Sequence, residues 1–233
     1  MLMEEQQKNR RADIGLRWNI RAALFPVQPM FDNLKKLAQE QQLPQFAKAL
    51  EYAREKHAGA VRKPNLFAKN PEPVPYIAHP LTMASHAQAL GIRDDEVLAA
   101  IMLHDVCEDC AVMPAELPFS NAVKTIVALL TKDETQKHRP GYTGQYYDRL
   151  KQNPKAAIVK ALDRCSNVST MAGSFTREKL DEYIVETETY VYPLLTYSKD
   201  HYPQYREAIF AIQYQIMSLL ETIKSMEAAF LKY

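Results

Sequence analysis

The chain has 233 residues, enough for one domain with a buried core that needs neither disulfides nor a structural metal. Its 29 Lys and Arg against 28 Asp and Glu leave a net charge of +1, which argues against nucleic acid and anionic membranes as partners. Neither a G-x-G-x-x-G nor a G-x-x-x-x-G-K-[ST] motif occurs, which argues against Rossmann and P-loop nucleotide binding. The polar first residues, short apolar runs and three cysteines predict a cytoplasmic protein with no membrane span.

Helical periodicity dominates the chain, and no stretch alternates polar and apolar residues for long, so we expect an all-α fold. Gly91 separates two predicted helices, and Asn153 with Pro154 is typical of a helix start. The last predicted helix carries an apolar stripe that ends at Phe230, which we interpret as a core face or as a contact in a homo-oligomer. The predicted helices cover 45–56, 81–90, 96–104, 154–165, 176–196 and 204–230.

Three segments between these helices are predicted to be loops. Residues 62–78 contain four prolines and form the longest of them, and 110–120 and 132–144 are shorter. We therefore divide the chain into three parts. They are an N-terminal segment over 1–44 that is frayed and then helical, a main domain over 45–200 and a C-terminal helical extension over 201–233.

The segment LHDVCED, residues 103–109, carries the most informative group of titratable residues. If one helix continues through it, Asp105, Glu108 and Asp109 lie within about 140° of His104 around the helix axis. The element begins as the apolar VLAAIML. Burying three carboxylates and an imidazole beside it is costly unless a cation or a hydrogen-bond network compensates. A divalent metal ion is the simplest compensation.

Two residues elsewhere in the chain strengthen the metal hypothesis. His79 follows the proline-rich loop, and Asp163 interrupts the apolar run AAIVKALDR. Asn167 and Thr170 follow Asp163 on the same predicted helix face. Two imidazoles and two carboxylates suit Mn²⁺, Fe²⁺ or Zn²⁺, whereas a lone His-Asp pair is explained equally well by a solvated helix end.

In order, spacing and flanking residues, five segments resemble the HD-domain metallophosphohydrolases. More narrowly, they resemble the hydrolase domain of the RelA/SpoT family of (p)ppGpp 3′-pyrophosphohydrolases. The resemblance covers roughly residues 45–200, and 33 residues follow, so a stand-alone small alarmone hydrolase is the fitting comparison. The matching segments are AREKHAGAVRK at 53–63, PYIAHPLTMA at 75–84, AAIMLHDVCED at 99–109, VKALDRCSNVST at 159–170 and ETETYVYPL at 186–194.

The resemblance implies an all-α HD-domain helical bundle, here with an extra C-terminal helix. It implies metal-dependent hydrolysis, with Mn²⁺ as the expected ion, of the 3′-pyrophosphate of guanosine tetraphosphate or pentaphosphate to GDP or GTP and pyrophosphate. It implies that Glu108 and Asp109 activate the attacking water. The implied metal ligands are His79, His104, Asp105 and Asp163, and the implied nucleotide contacts are Arg62, Lys63, Asn167 and Thr170.

Two departures from the family pattern keep alternatives open. Arg62 and His79 are 17 positions apart, more than is usual in the family. The segment LFAKNPEP is therefore an insertion beside the base pocket that bears on nucleobase selectivity. LDRCSN stands where the family has ADRxHN, with Leu162 and Ser166 as the unusual residues. The alternatives are an HD phosphohydrolase acting on another nucleotide, such as NADPH or a nucleoside monophosphate, and a non-catalytic partner-binding protein of this fold.

Overall fold

The computed structural model describes residues 25–66 and 72–230, and the predicted fraying at the start of the chain lies outside them. Within these ranges the elements are helical apart from an isolated bridge between Val61 and Pro75, which confirms the all-α class. The α-helices are α1 (Val27–Glu40), α2 (Pro44–Lys56), α3 (Ala78–Ala89), α4 (Asp95–Leu103), α5 (Val106–Asp109), α6 (Asn121–Leu130), α7 (Tyr142–Lys151), α8 (Pro154–Ser174), α9 (Arg177–Glu186), α10 (Tyr192–His201) and α11 (Arg206–Phe230).

Most predicted helices form within a few residues of their expected bounds, namely α2, α3, α4 and α11, while α8 continues past its predicted end to Ser174. The segment predicted as one helix over 176–196 consists of α9, a π-helical turn over Thr187–Val191 and the start of α10. Helices α6 and α7 lie outside the predicted helices, and the loop predicted over 132–144 is wrong at its end because α7 begins at Tyr142. Among the described helices, none is long and apolar enough to span a bilayer.

Helix α4 lies at the centre of the core, because every residue from Val97 to Leu103 is buried. It packs against α2, α3, α6 and α8, which explains why its sequence is apolar on all faces. The same core takes in Phe31 of α1 and Ile212 of α11, so helices from both flanking segments contribute to it. The boundaries placed at residues 44 and 200 stay predictions.

The apolar stripe of α11 is core in its first half. Ile209, Ile212 and Ile216 are buried, whereas Met226 is exposed. The buried part of the stripe therefore stabilises the packing of α11 on α8 and α10, and the stripe is exposed to solvent at Met226.

One helix does not continue through LHDVCED, so the helical angles that relate its titratable residues do not apply. Helix α4 ends at Leu103, and His104 and Asp105 form the turn before the short helix α5. The physical reason is a side-chain cap, because His104 Nδ1 donates to the Ile101 carbonyl oxygen at 2.8 Å. That carbonyl belongs to the last turn of α4, where backbone acceptors lack partners within the helix. The break places the two side chains at the junction of α4 and α5.

The loop between α2 and α3 is closed at its base. The Arg62 N–H donates to the Val74 carbonyl oxygen at 2.8 Å, and the Tyr76 N–H donates to the Ala60 carbonyl oxygen at 2.8 Å. Farther out, the Leu66 N–H donates to the Gly173 carbonyl oxygen of α8 at 2.7 Å. Residues 67–71 of the predicted insertion lie outside the described residues.

The start of α2 depends on a side chain of α4. Leu43 precedes α2 and provides no side-chain acceptor for its first turn. Instead, Asp95 accepts from the Gln45 N–H at 3.1 Å and from the Phe46 N–H at 2.8 Å. These are two of the donors that an α-helix leaves unsatisfied at its start, so one carboxylate caps α2 and fixes it on α4.

Replacing Asp95 by Ala should lower the free energy of unfolding by about 1–2 kcal/mol, because both donors lose their acceptor. Asp95→Asn keeps one acceptor oxygen and should lose less. Urea denaturation followed by circular dichroism measures both. Asp148→Ala, at an exposed carboxylate of α7, is the control and should stay within about 0.5 kcal/mol of the parent. An Asp95→Ala protein as stable as that control would show that the cap contributes nothing.

Candidate metal centre

Side chains from three parts of the chain converge at one point. They are His79 of α3, His104 and Asp105 between α4 and α5, and Asp163 in the middle of α8. Among the described residues, one ligand atom each of His79, His104 and Asp105 lie within 4.8 Å of one another. Asp163 Oδ1 lies 3.3 Å from His79 Nε2 and 3.7 Å from His104 Nε2. The four predicted ligands are therefore neighbours, and their coordination of a metal stays a prediction.

Both imidazoles are held through Nδ1. The Ile101 carbonyl oxygen can only accept, so His104 Nδ1 carries the proton of that hydrogen bond and Nε2 faces the carboxylates. His79 Nδ1 lies 3.1 Å from Ser166 Oγ, and its Nε2 lies 3.8 Å from Asp105 Oδ2. This arrangement resembles metal-binding histidines in general, whose second ring nitrogen is fixed by a hydrogen bond. Ser166, unusual by the family pattern, thus orients His79.

A divalent metal ion fits this set of donors. His104 Nε2 is buried and makes no hydrogen bond, although Asp105 Oδ2 lies only 2.9 Å away. A buried polar atom without a hydrogen bond is unfavourable, and a cation between the histidines and the carboxylates would satisfy it. Two imidazole nitrogens and two carboxylate oxygens are ligands that borderline divalent ions accept.

The carboxylates of the cluster are ionised, as metal ligands must be. Burial favours the neutral form of Asp105 and Asp163, but neighbouring cations outweigh it and hold the pKa of each well below its usual range. The imidazole of His104 does so for Asp105, and the ammonium of Lys160, 2.8 Å from Oδ2, does so for Asp163.

The histidines differ in the protonation that their surroundings favour. Burial lowers the pKa of His79, which favours its neutral form. Burial also opposes a charged His104, but the facing carboxylates of Asp105 and Asp163 outweigh it and raise the pKa of His104. A bound divalent ion would replace that proton, since only the neutral ring coordinates metal.

Glu108 and Asp109 lie on α5 and line the same cavity of about 240 Å³ as the four predicted ligands. Glu108 Oε1 accepts from the Lys132 N–H at 2.6 Å, which fixes the carboxylate at the cavity wall. The surrounding walls partly desolvate both carboxylates, and this raises the pKa of Glu108 and of Asp109. Tyr76 also reaches this region and donates from its hydroxyl to Asp105.

The predicted nucleotide contacts divide into two groups. Arg62 and Asn167 line the cavity and contact each other, with Arg62 Nη2 donating to Asn167 Oδ1 at 3.2 Å. Asn167 in turn donates to Asp163 Oδ1 at 2.6 Å. Lys63 does not line the cavity, and its Nζ lies 5.4 Å from the ring centre of Phe175.

Thr170 also lies outside the cavity lining. Its hydroxyl donates within α8 to the carbonyl oxygens of Ser166 and Asn167, at 3.4 and 3.2 Å. The nucleotide contacts assigned to Lys63 and Thr170 stay predictions.

Several residues of the cavity were missed by sequence reasoning. Lys160 and Arg164 flank Asp163 within a run that is otherwise apolar, and their charge in that context was a usable signal. Tyr76 and Lys132 stand in loops, where no periodicity marks a buried position. The missed lining residues are Tyr76, Leu130, Lys132, Lys160, Arg164 and Tyr183.

Comparison with known proteins gives a family and several relatives. A family model described as HD domain matches residues 49–195. A protein of Aquifex aeolicus named guanosine-3′,5′-bis(diphosphate) 3′-pyrophosphohydrolase is 30% identical over 170 residues, which cover 70% of this chain and 23% of that protein. The chain thus spans about a quarter of that relative's length.

This chain covers a larger share of a shorter relative and of a solved structure. The Xenopus tropicalis protein named guanosine-3′,5′-bis(diphosphate) 3′-pyrophosphohydrolase MESH1 is 33% identical over 144 residues, covering 58% of this chain and 76% of that protein. A structure of a metazoan ortholog of SpoT that hydrolyzes ppGpp has a TM-score of 0.57 at 22% identity, covering 73% of this chain and 94% of that one. The latter likeness shows the fold alone.

Replacing His79 or Asp163 by Ala should weaken Mn²⁺ binding by at least about 100-fold, since each change removes a predicted ligand. Isothermal titration calorimetry on metal-stripped protein measures the affinity. His86→Ala is the matched control, because His86 is a half-buried histidine of α3 that does not line the cavity. Unchanged affinity in a folded His79→Ala or Asp163→Ala protein would remove that residue from the ligand set.

Proposed function

The chain belongs to the HD-domain family, and from this premise we propose that it removes the 3′-pyrophosphate of (p)ppGpp to give GDP or GTP and pyrophosphate. The observation that carries the proposal is the convergence of two histidines and two carboxylates over one cavity with the acidic residues of α5. The names of the Aquifex aeolicus and Xenopus tropicalis relatives support this substrate. The second relative supports it most directly, because this chain covers three quarters of it.

We propose that His79, His104, Asp105 and Asp163 hold a divalent ion, and that the ion is Mn²⁺. When bound, such an ion polarises a phosphoryl oxygen and lowers the pKa of a water molecule. The protein's own contribution is to fix the ring orientation of both histidines and to keep both carboxylates ionised.

Glu108 and Asp109 are the proposed groups that orient and deprotonate the attacking water. In the reaction the water oxygen forms a bond to the phosphorus attached to the ribose 3′ oxygen, and the bond from that phosphorus to the 3′ oxygen breaks. The electron pair stays with the 3′ oxygen, which gains a proton, while the water loses one. A carboxylate with a raised pKa is the stronger base, and both residues have one.

Arg62 and Asn167 are the proposed contacts for phosphate oxygens inside the cavity. Arg62 uses one donor on Asn167, and a guanidinium carries five, so donors remain for phosphate. Lys63 and Thr170, which lie outside the cavity lining, are the proposed contacts for the parts of the nucleotide that extend beyond it.

The substrate is tested by incubating metal-stripped protein with and without Mn²⁺ against ppGpp, NADPH and nucleoside monophosphates. Ion-exchange chromatography separates the products. We expect release of pyrophosphate from ppGpp only with Mn²⁺, and its loss in excess EDTA, because the donor set contains no thiolate and should exchange metal readily. Turnover of NADPH or a monophosphate with ppGpp untouched would contradict the substrate, and turnover by metal-free protein would contradict the metal requirement.

Glu108→Gln should lower kcat on ppGpp by about 10² to 10⁴ while Mn²⁺ affinity is kept, since four other residues are proposed as ligands. Steady-state kinetics and calorimetry measure the two quantities. Glu182→Gln, at an exposed carboxylate of α9, is the control and should match the parent. Loss of metal from the Glu108 variant would make Glu108 a ligand, and full turnover would leave Asp109 or the metal alone to activate the water.

A further inference from the structure

Three cations adjoin one another in the cavity lining: Lys132 in the loop after α6, and Lys160 and Arg164 of α8. Lys132 Nζ and Lys160 Nζ lie 5.2 and 5.9 Å from the ring centre of the same residue, Tyr146. Lys132 and Arg164 share Glu186 as an ion-pair partner. Positive charge is therefore concentrated beside the acidic residues of α5.

Two of these cations have strong protein partners. Lys160 Nζ lies 2.8 Å from Asp163 Oδ2. Arg164 donates to Glu186 Oε1 at 2.6 Å, to the Tyr147 hydroxyl at 2.9 Å and to Thr187 Oγ1 at 3.0 Å. Their side chains are 13% and 1% exposed, so neither is accessible to a ligand to any large extent.

Lys132 differs from both. Its ammonium lies 3.4 Å from Glu186 Oε1, an oxygen that already accepts from Arg164 at 2.6 Å and from the Tyr147 hydroxyl at 2.6 Å. The side chain of Lys132 is 28% exposed, the largest value of the three. An ammonium has three donors, so Lys132 has hydrogen-bonding capacity that this shared oxygen does not use.

The electrostatics agree with this geometry. Burial lowers the pKa of Lys132, and the neighbouring charges of Lys160 and Arg164 lower it further against the opposing effect of Glu186. An added anion therefore stabilises an ammonium in such surroundings more than it stabilises an ammonium that already pairs with its own carboxylate.

We propose that the Lys132 ammonium contacts the pyrophosphate group of the substrate and of the product. The inference rests on the proposed function and adds a binding residue to it. The backbone N–H of Lys132 holds Glu108 at 2.6 Å, so the ammonium and the proposed base belong to one local unit. A lysine suits this role because a pyrophosphate needs charge neutralisation from a donor that can rotate. Lys132 forms no covalent bond in the reaction.

The test uses inorganic pyrophosphate as the probe, titrated into Mn²⁺-loaded protein by calorimetry. Lys132→Met should weaken pyrophosphate binding by about 10- to 100-fold and lower kcat/KM on ppGpp by a similar factor, as expected for losing a charged hydrogen bond. Affinity for Mn²⁺ alone should stay unchanged, and Lys132→Arg should restore part of the pyrophosphate affinity. Unchanged pyrophosphate affinity in the folded Lys132→Met protein would overturn the proposal.

Lys151→Met is the matched control, because Lys151 is 25% exposed and pairs with one carboxylate, Asp148, at 3.0 Å. It should bind pyrophosphate like the parent. If Lys132→Met fails to fold by circular dichroism, Lys132→Gln replaces it with the same expectation.

The calorimetric test needs no turnover. If pyrophosphate binding depends on Lys132 but ppGpp is not hydrolysed, the contact proposed for Lys132 is supported and ppGpp is excluded as the substrate. A parent protein that binds no pyrophosphate would overturn the inference.

Discussion

An ionised carboxylate in the middle of a buried helix requires compensation, and Asp163 of α8 is in that position with an exposed fraction of 6%. Lys160 and Asn167 compensate it from the same helix, one at each oxygen. The histidines of α3 and of the α4–α5 junction face it from other helices. The packing of α3, α4 and α8 around one charge therefore determines where the rest of the site lies.

The helix that supplies this charge is also tied to the π-helical turn. Arg164 follows Asp163 directly and reaches Glu186 and Thr187, which mark the end of α9 and the start of the turn. π-Helices occur mostly as single turns between α-helical segments, frequently at functional sites. Glu186 lies directly before the turn and beside two cations of the cavity, so α9 takes part in the electrostatics of a site to which it supplies no predicted ligand.

How much could be predicted from the sequence depended on the kind of signal. Asp163 and His104 were predictable because a titratable side chain in an apolar run requires a compensating partner, and the structure brings these two together. The position of Glu108 and Asp109 relative to His104 was not, because it depends on a turn and a side-chain cap that leave no trace in helical periodicity. The position of Lys63 depends on the path of a proline-rich loop over α8, which only tertiary contacts determine. Lys132 is one lysine in a polar loop, and nothing local distinguishes it.

The loop between α2 and α3 joins a phosphate-binding candidate to a metal-binding candidate, yet it is closed at its base. Backbone hydrogen bonds at Arg62 and Tyr76 hold both ends, so residues added between them change neither the position of Arg62 nor the start of α3. Lengthening a closed loop costs little free energy, roughly 0.6 kcal/mol per doubling. Natural selection can therefore vary this segment, and with it the part of a ligand that contacts it, while Arg62 and the residues of the candidate metal centre keep their positions.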